Sequence, residues 1–163
     1  MDPESGLLIS AFGVDGSPAP AGPGPEGSSI WMAAHMLAVV NPGFATDQYH
    51  RAKSVLGGRF LGFGYSREWP RGMDGQMDID SGPVVPLLGA SASASGLAIL
   101  GAASFNDHEY FLELMTALRC AGFPVEENGR LRFLAGNQVG DAVLLYAMVE
   151  GPLWDLARRR AAP

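Results

Sequence analysis

The sequence has few charges, a single cysteine and no long apolar run, and each shortage excludes a class of protein. Charged residues make up 17% of the 163 residues, below the usual quarter, which indicates a mostly buried surface or one that contacts a partner. The single cysteine, Cys120, excludes an internal disulfide and any metal site with cysteine spacing. Because Cys120 lies in an apolar helical run, we expect a buried, inert thiol.

The longest apolar stretch, residues 84–103, is interrupted by Pro86, three glycines and several serines. Spanning a bilayer needs roughly 20 apolar residues in a row, so no transmembrane segment is predicted. The first residues lack the basic and apolar parts of a signal peptide, which leaves the compartment unknown and the cytoplasm as the default. The net charge of −6 and isoelectric point near 4.9 argue against nucleic acid or an anionic membrane as a partner.

The apolar pattern predicts a single, mainly α-helical domain over residues 1–163. A short strand at 6–12 and a Gly/Pro-rich loop to residue 27 precede the helical part, residues 28–160. Apolar helices of small residues alternate there with amphipathic ones, which predicts three helical hairpins, each an inner and an outer helix. The expected inner helices span about 28–40, 89–104 and 138–149, the outer ones about 44–56, 107–121 and 152–160.

Short elements are expected between the helices. Residues 123–135 predict a β-hairpin with its turn at Asn128–Gly129, and residues 60–65 predict a strand. Gly151–Pro152 is expected to end the third inner helix, because proline removes a helical hydrogen bond.

One non-periodic segment, residues 65–83, separates two strongly apolar ones, and we call it the acidic loop. It combines Trp, Tyr and Ile with two arginines, four carboxylates and several glycines and prolines. A plain connection between helices has no need for large apolar residues beside acids. Since binding and catalysis concentrate on loops held by a rigid scaffold, we expect the functional site here.

Three segments open or precede inner helices: residues 24–32 (GPEGSSIWM), 78–83 (DIDSGP) and 137–142 (NQVGDA). With the inner/outer alternation, they resemble the α/α toroids of six-hairpin glycosidase-like proteins, and in particular bacterial proteins of the linalool dehydratase/isomerase-like kind. The resemblance implies inner helices around a funnel, with the active site in loops at its mouth. That enzyme's catalytic cysteine pair has no counterpart here. Three hairpins imply half a toroid: a C-terminal fragment, a chain that pairs with another, or a smaller closed bundle.

Five residues are predicted to be catalytic. Paired carboxylates can act as general acid and base once burial or repulsion raises the pKa of one of them, and a histidine can act as a base near neutral pH. The alternatives are structural: a loop acid that bonds nearby backbone N–H groups, an acid that caps a helix, and a core histidine. The predicted catalytic residues are Asp78, Asp80, Glu26, Glu68 and His35.

Five further residues are predicted to contact a substrate. Flat aromatic faces suit sugar rings and terpenoid chains, and a polar pair four residues apart shares one helix face. Core packing is the alternative for the aromatic residues, and capping is the alternative for the pair. The residues are Trp69, Tyr65, Trp31, Asn137 and Asp141.

Two functions follow as hypotheses. The first is a hydrolase or lyase for a carbohydrate or terpenoid, with the loop carboxylates at the mouth of a helical funnel and neither metal nor cofactor. The second is a non-catalytic helical binding or interaction module, whose acidic loop is a structural clasp. The expected partners are a small-molecule or carbohydrate ligand and a second chain or missing N-terminal half. Catalysis requires two acids facing one open cavity, whereas a clasp requires acids saturated by hydrogen bonds.

Overall fold

The computed structural model describes residues 1–17, 24–73 and 84–161, with residues 151–161 described by their backbone. The mainly helical architecture with short antiparallel hairpins is confirmed in this part of the chain. The helices are α1 (Gly27–Val40), α2 (Pro42–Val55), α3 (Ala92–Ser104), α4 (His108–Ala121) and α5 (Gln138–Ala161). The antiparallel strand pairs are β1 (Gly57–Phe60) with β2 (Phe63–Ser66), β3 (Val84–Val85) with β4 (Ala90–Ser91), and β5 (Pro124–Glu127) with β6 (Arg130–Phe133).

Turn residues set the boundaries of the first helical hairpin. The side chain of Asn41 accepts a hydrogen bond from the backbone N–H of Phe44 at 3.2 Å, which caps α2. Pro42 occupies the first position of α2, where its missing N–H costs nothing and its fixed φ suits the helix. The same proline disfavours helical backbone at Asn41, so α1 ends there.

The core lies between α1 and α3, the two helices richest in small apolar residues. Trp31 has no exposed surface, and its ring makes an edge contact with Tyr49 at 5.7 Å between centroids. Gly101 of α3 makes room for it, because a Cβ at that position would lie 2.9 Å from the Trp31 ring. α2 packs outside α1 and α4 packs outside α3, while α5 packs on α3.

The two outer helices are linked through Asp107, which caps α4. One carboxylate oxygen accepts hydrogen bonds from the Tyr49 hydroxyl at 2.7 Å and from Lys53 Nζ at 2.5 Å. The other oxygen accepts from the N–H of Tyr110. Burial raises the pKa of Asp107, but these hydrogen bonds outweigh it, so the pKa lies below its ordinary value.

The predicted strand at 6–12 is absent from the structure. Gly6 has a φ of +67°, which breaks extended backbone. The side chain of Gln48 substitutes for a neighbouring strand, since it donates to Gly6 O and accepts from Leu8 N, both at 3.0 Å. Gln48 therefore has no exposed surface, although its place among the polar residues of α2 predicts a solvent-exposed side chain.

Two other expectations are wrong. The third hairpin is one continuous helix, α5, with Gly151 and Pro152 inside it; the fixed φ of proline is helical, so a single lost bond does not end a long helix. Cys120 is exposed, because the buried side of α4 carries Tyr110, Leu114 and Met115, and Cys120 lies on another side. No helix in the described part of the chain combines the length and apolar character needed to cross a membrane.

Candidate functional site

The described part of the acidic loop, residues 65–73, crosses the N-terminal ends of α1 and α3. The backbone N–H of Gly27 donates to the carbonyl of Glu68 at 2.6 Å, which holds the loop against the start of α1. Ser66 bonds through its N–H to Ser95 Oγ of α3 at 2.9 Å. The loop can approach the helix this closely because Gly27 has no side chain. A Cβ at this position would overlap the carbonyl of Arg67.

The side chain of Glu68 joins the two helix ends. Its Oε1 accepts from the N–H of Ser28 at 3.1 Å and from Ser28 Oγ at 2.5 Å. Its Oε2 accepts from Ser91 Oγ at 2.7 Å, and Ser91 also caps α3 by accepting from Ala94 N. The carboxylate is 1% exposed.

This geometry suits an anion that is held in place. Helix N-termini present unpaired N–H groups and a partial positive charge, so one carboxylate between two such ends is favoured by both. Both of its oxygens are hydrogen-bonded, and solvent does not reach it. We call the group formed by Glu68, Ser28 and Ser91 the helix clasp.

Glu26, the second acid at this end of α1, occupies the N-cap position itself. Its backbone is extended, and its side chain makes no capping bond to the first turn of the helix. Instead Oε2 accepts from Ser29 Oγ at 3.3 Å, and the Glu26 N–H donates to Ser10 Oγ at 2.9 Å. Glu26 is partly exposed, so the structure brings Glu26 and Glu68 to the same helix end but presents only Glu26 to solvent.

Asp78 and Asp80, the acids that lead the enzyme hypothesis, lie outside the described residues. Trp69 is half-buried, and its indole Nε1 has no hydrogen-bond partner within the described ranges. Among these residues no group of three or more His, Cys, Asp or Glu side chains could hold a metal ion. The catalytic roles therefore stay predictions.

His35 is buried and lies in a chain of hydrogen bonds between three helices. Its Nδ1 is 2.7 Å from Ser104 Oγ, and its Nε2 is 3.2 Å from the Tyr146 hydroxyl. The Ser104 hydroxyl donates its hydrogen bond to Leu100 O, so in the bond between Ser104 and His35 the donor is His35 Nδ1–H. In a neutral ring Nε2 then accepts from Tyr146. Burial lowers the pKa of His35, which favours this neutral form.

Acidification should destabilise the fold through His35. The pKa of His35 in the folded state lies below its ordinary value of about 6.5. As pH falls below 6.5, His35 is therefore protonated in a larger fraction of unfolded chains than of folded ones. The stability that neutral His35 contributes is fully present above about pH 6.5. It is lost progressively between that pH and the lower pKa of the folded state. Urea unfolding at a series of pH values should show a slope in this window that His35→Gln removes and that the exposed His108→Gln retains. An equal slope in both variants would exclude His35 as its source.

The predicted substrate contacts differ in burial and in their partners. Trp31 is fully buried and donates its Nε1–H to Ser66 Oγ at 2.7 Å, so it has no surface for a ligand in this structure. Tyr65 accepts from Arg67 Nη2 at 3.1 Å through its hydroxyl. Asn137 and Asp141 are exposed at the start of α5, where Asn137 Oδ1 accepts from Gly140 N and caps the helix.

Sequence reasoning missed the partners of Glu68. Ser28 and Ser91 lie 40 and 23 residues away from it, and only the fold brings them together. The signal for Ser91 was its position before an alanine-rich helix, which is typical of an N-cap. No protein-family model matches the sequence, and the search of curated proteins finds no significant match.

Proposed function

We propose that this chain is a non-catalytic helical interaction module, in which the exposed side of α5 binds a second copy of the chain. The observation that carries this is an apolar side of α5, which we call the α5 face, directed to solvent. Its residues are 45–73% exposed. Surface helices normally direct polar residues outward, and contiguous exposed apolar residues mark protein–protein contacts. The α5 face consists of Val139, Leu145, Met148 and Val149.

The geometry of the helix clasp supports a module without catalysis. Glu68 is saturated by three hydrogen bonds and sealed from solvent, which is the state that a structural acid requires. The hydrolase or lyase hypothesis stays a prediction, since it depends first on Asp78 and Asp80, outside the described residues.

The opposite side of α5 packs on the core, where Ala147 is 2% exposed and Leu144 is partly buried. The helix has 24 residues and is therefore about 36 Å long, enough for an extended helix–helix contact. Its sequence is acidic in the first turn, at Asp141, and has three arginines at 158–160. In an antiparallel pair about a twofold axis, the acidic end of each copy lies beside the basic end of the other, which favours a second copy as the partner.

The resemblance to α/α toroids is consistent with a second copy beside α5. α1 and α3 each have an outer neighbour, α2 and α4, whereas within the described ranges α5 makes its main helix contact with α3. A toroid-like arrangement would add an outer helix on α5, and a second copy would supply one.

The test is the oligomeric state of the full chain by sedimentation or light scattering. We expect a dimer at about 10 μM that Leu145→Glu converts to a monomer, because a charge buried in an apolar contact is left unpaired. Leu112→Glu on α4 is the matched control, since Leu112 is 64% exposed and Leu145 is 65% exposed.

A monomeric wild-type chain would contradict the second copy as partner. Equal effects of Leu145→Glu and Leu112→Glu would contradict the α5 face as the contact. Binding of a different, apolar helical protein that Leu145→Glu abolishes would retain the interaction module with another partner.

A further inference from the structure

Arg67 is a buried cation that forms no ion pair with a carboxylate of the described residues. Its side chain is 7% exposed and takes no part in the ion pairs found in these ranges, which are Arg51–Asp47, Lys53–Asp107, Arg59–Glu109 and Arg59–Glu113. Its donors bond instead to neutral acceptors: Nε to Leu88 O at 3.0 Å, Nη1 to Gly57 O at 3.4 Å and Nη2 to the Tyr65 hydroxyl at 3.1 Å.

This arrangement leaves both charge and donors for another group. A guanidinium stays protonated in proteins and has five N–H donors, of which three are used here. The Tyr65 ring, 5.3 Å from the guanidinium carbon, offsets part of the charge. A buried cation is costly without an anionic partner, so an anionic ligand group placed here would be stabilised by Arg67.

Arg67 lines a cavity of about 460 Å³ that is open to solvent. Arg71 adds a second cation to its wall, and Asp2 and Glu4 add two acids. Apolar surface comes from Val55 and also from Pro70 and Met73.

The Asp2 carboxylate is held in place as an anion. Its Oδ2 accepts from Ser5 Oγ at 2.5 Å and from Ser5 N at 2.7 Å. The hydroxyl bond is the main cause that lowers the pKa of Asp2, so the acid is charged at neutral pH. The cavity wall therefore carries two positive and two negative groups, together with apolar surface.

From this charge pattern we infer that the cavity binds a free α-amino acid with an apolar side chain. The ligand carboxylate is directed to Arg67 and Arg71, and its ammonium group to Asp2 and Glu4. A simple anion would be repelled by the acids, and a simple amine by the arginines, whereas a zwitterion satisfies both. This site is independent of the α5 face.

The binding test compares L-leucine with two analogues that each lack one charge, using titration calorimetry on the full chain. L-Leucine should bind with a dissociation constant of about 1 mM or tighter. We expect 4-methylpentanoate, which lacks the amine, and 3-methylbutylamine, which lacks the carboxylate, to bind at least about tenfold more weakly. The remaining proteinogenic amino acids follow in the same assay.

Variants locate the site without disturbing buried Arg67. The exposed residues Arg71 and Glu4 are replaced in Arg71→Gln and Glu4→Gln, and each change should weaken binding about tenfold. Arg119→Gln is the matched control, because Arg119 is an exposed arginine on α4 and does not line the cavity. The inference is overturned if no amino acid binds, if 4-methylpentanoate binds as tightly as leucine, or if Arg119→Gln weakens binding equally.

Discussion

Glu68→Ala should lower the free energy of unfolding by about 3–5 kcal/mol, because the substitution empties a filled site between two helix ends. The Ser28 N–H and hydroxyl lose their acceptor, and so does the Ser91 hydroxyl. Water does not reach the Glu68 side chain in the wild-type chain, since Glu68 is 1% exposed. A single domain is typically stable by about 5–15 kcal/mol, so this loss would be a large share of the total.

Urea unfolding followed by circular dichroism measures the effect. Glu68→Gln keeps the shape and one carbonyl acceptor, so we expect a smaller loss of about 1–2 kcal/mol. Glu126→Ala on β5 is the control, because Glu126 is exposed, and it should change stability by less than about 0.5 kcal/mol. A loss below about 1 kcal/mol for Glu68→Ala would contradict the helix clasp and return Glu68 to the candidate catalytic acids.

The sequence predicts the helices well where local signals and tertiary packing agree. Asn41–Pro42 ends the first helix and Gly122 follows the end of α4, as the pattern predicts, whereas α2 begins at Pro42, two residues before the expected start. The hairpin at β5 and β6 has its turn at Asn128 and Gly129, both with positive φ. These features depend on neighbours in sequence, which is why they are visible without the fold.

Features that depend on distant partners are not predicted. Gln48 belongs to a polar run but is buried, because it completes the backbone hydrogen bonds of Gly6 and Leu8, some forty residues away. Residues 65–73 of the acidic loop cross the ends of two helices, yet nothing in their sequence alone shows that Glu68 faces serines rather than a cavity. The partners of Arg67 also depend on the whole fold, since its side chain bonds to the carbonyls of Leu88 and Gly57 rather than to a carboxylate.

Gly27→Ala should destabilise the protein by about 2–3 kcal/mol, although the same change inside a helix usually stabilises it. A Cβ at Gly27 would overlap the backbone oxygen of Arg67 and lie 3.0 Å from the Cβ of Ala94. A backbone carbonyl cannot rotate away as a flexible side chain does. Relief would need the acidic loop to move off α1, which would stretch the bond from Gly27 N to Glu68 O.

Gly96→Ala in α3 supplies the matched control, because a Cβ there meets no atom within 4 Å. It should stabilise the protein by about 0.5–1 kcal/mol through the lower entropy of the unfolded chain. The two substitutions add the same methyl group to helical glycines. If one lowers and the other raises the free energy of unfolding in urea, the difference reports the steric overlap at the start of α1. Stabilisation by Gly27→Ala would show that the loop and helix are not in close contact there. Both the helix clasp and the position of Glu68 depend on that contact, so they would fail with it.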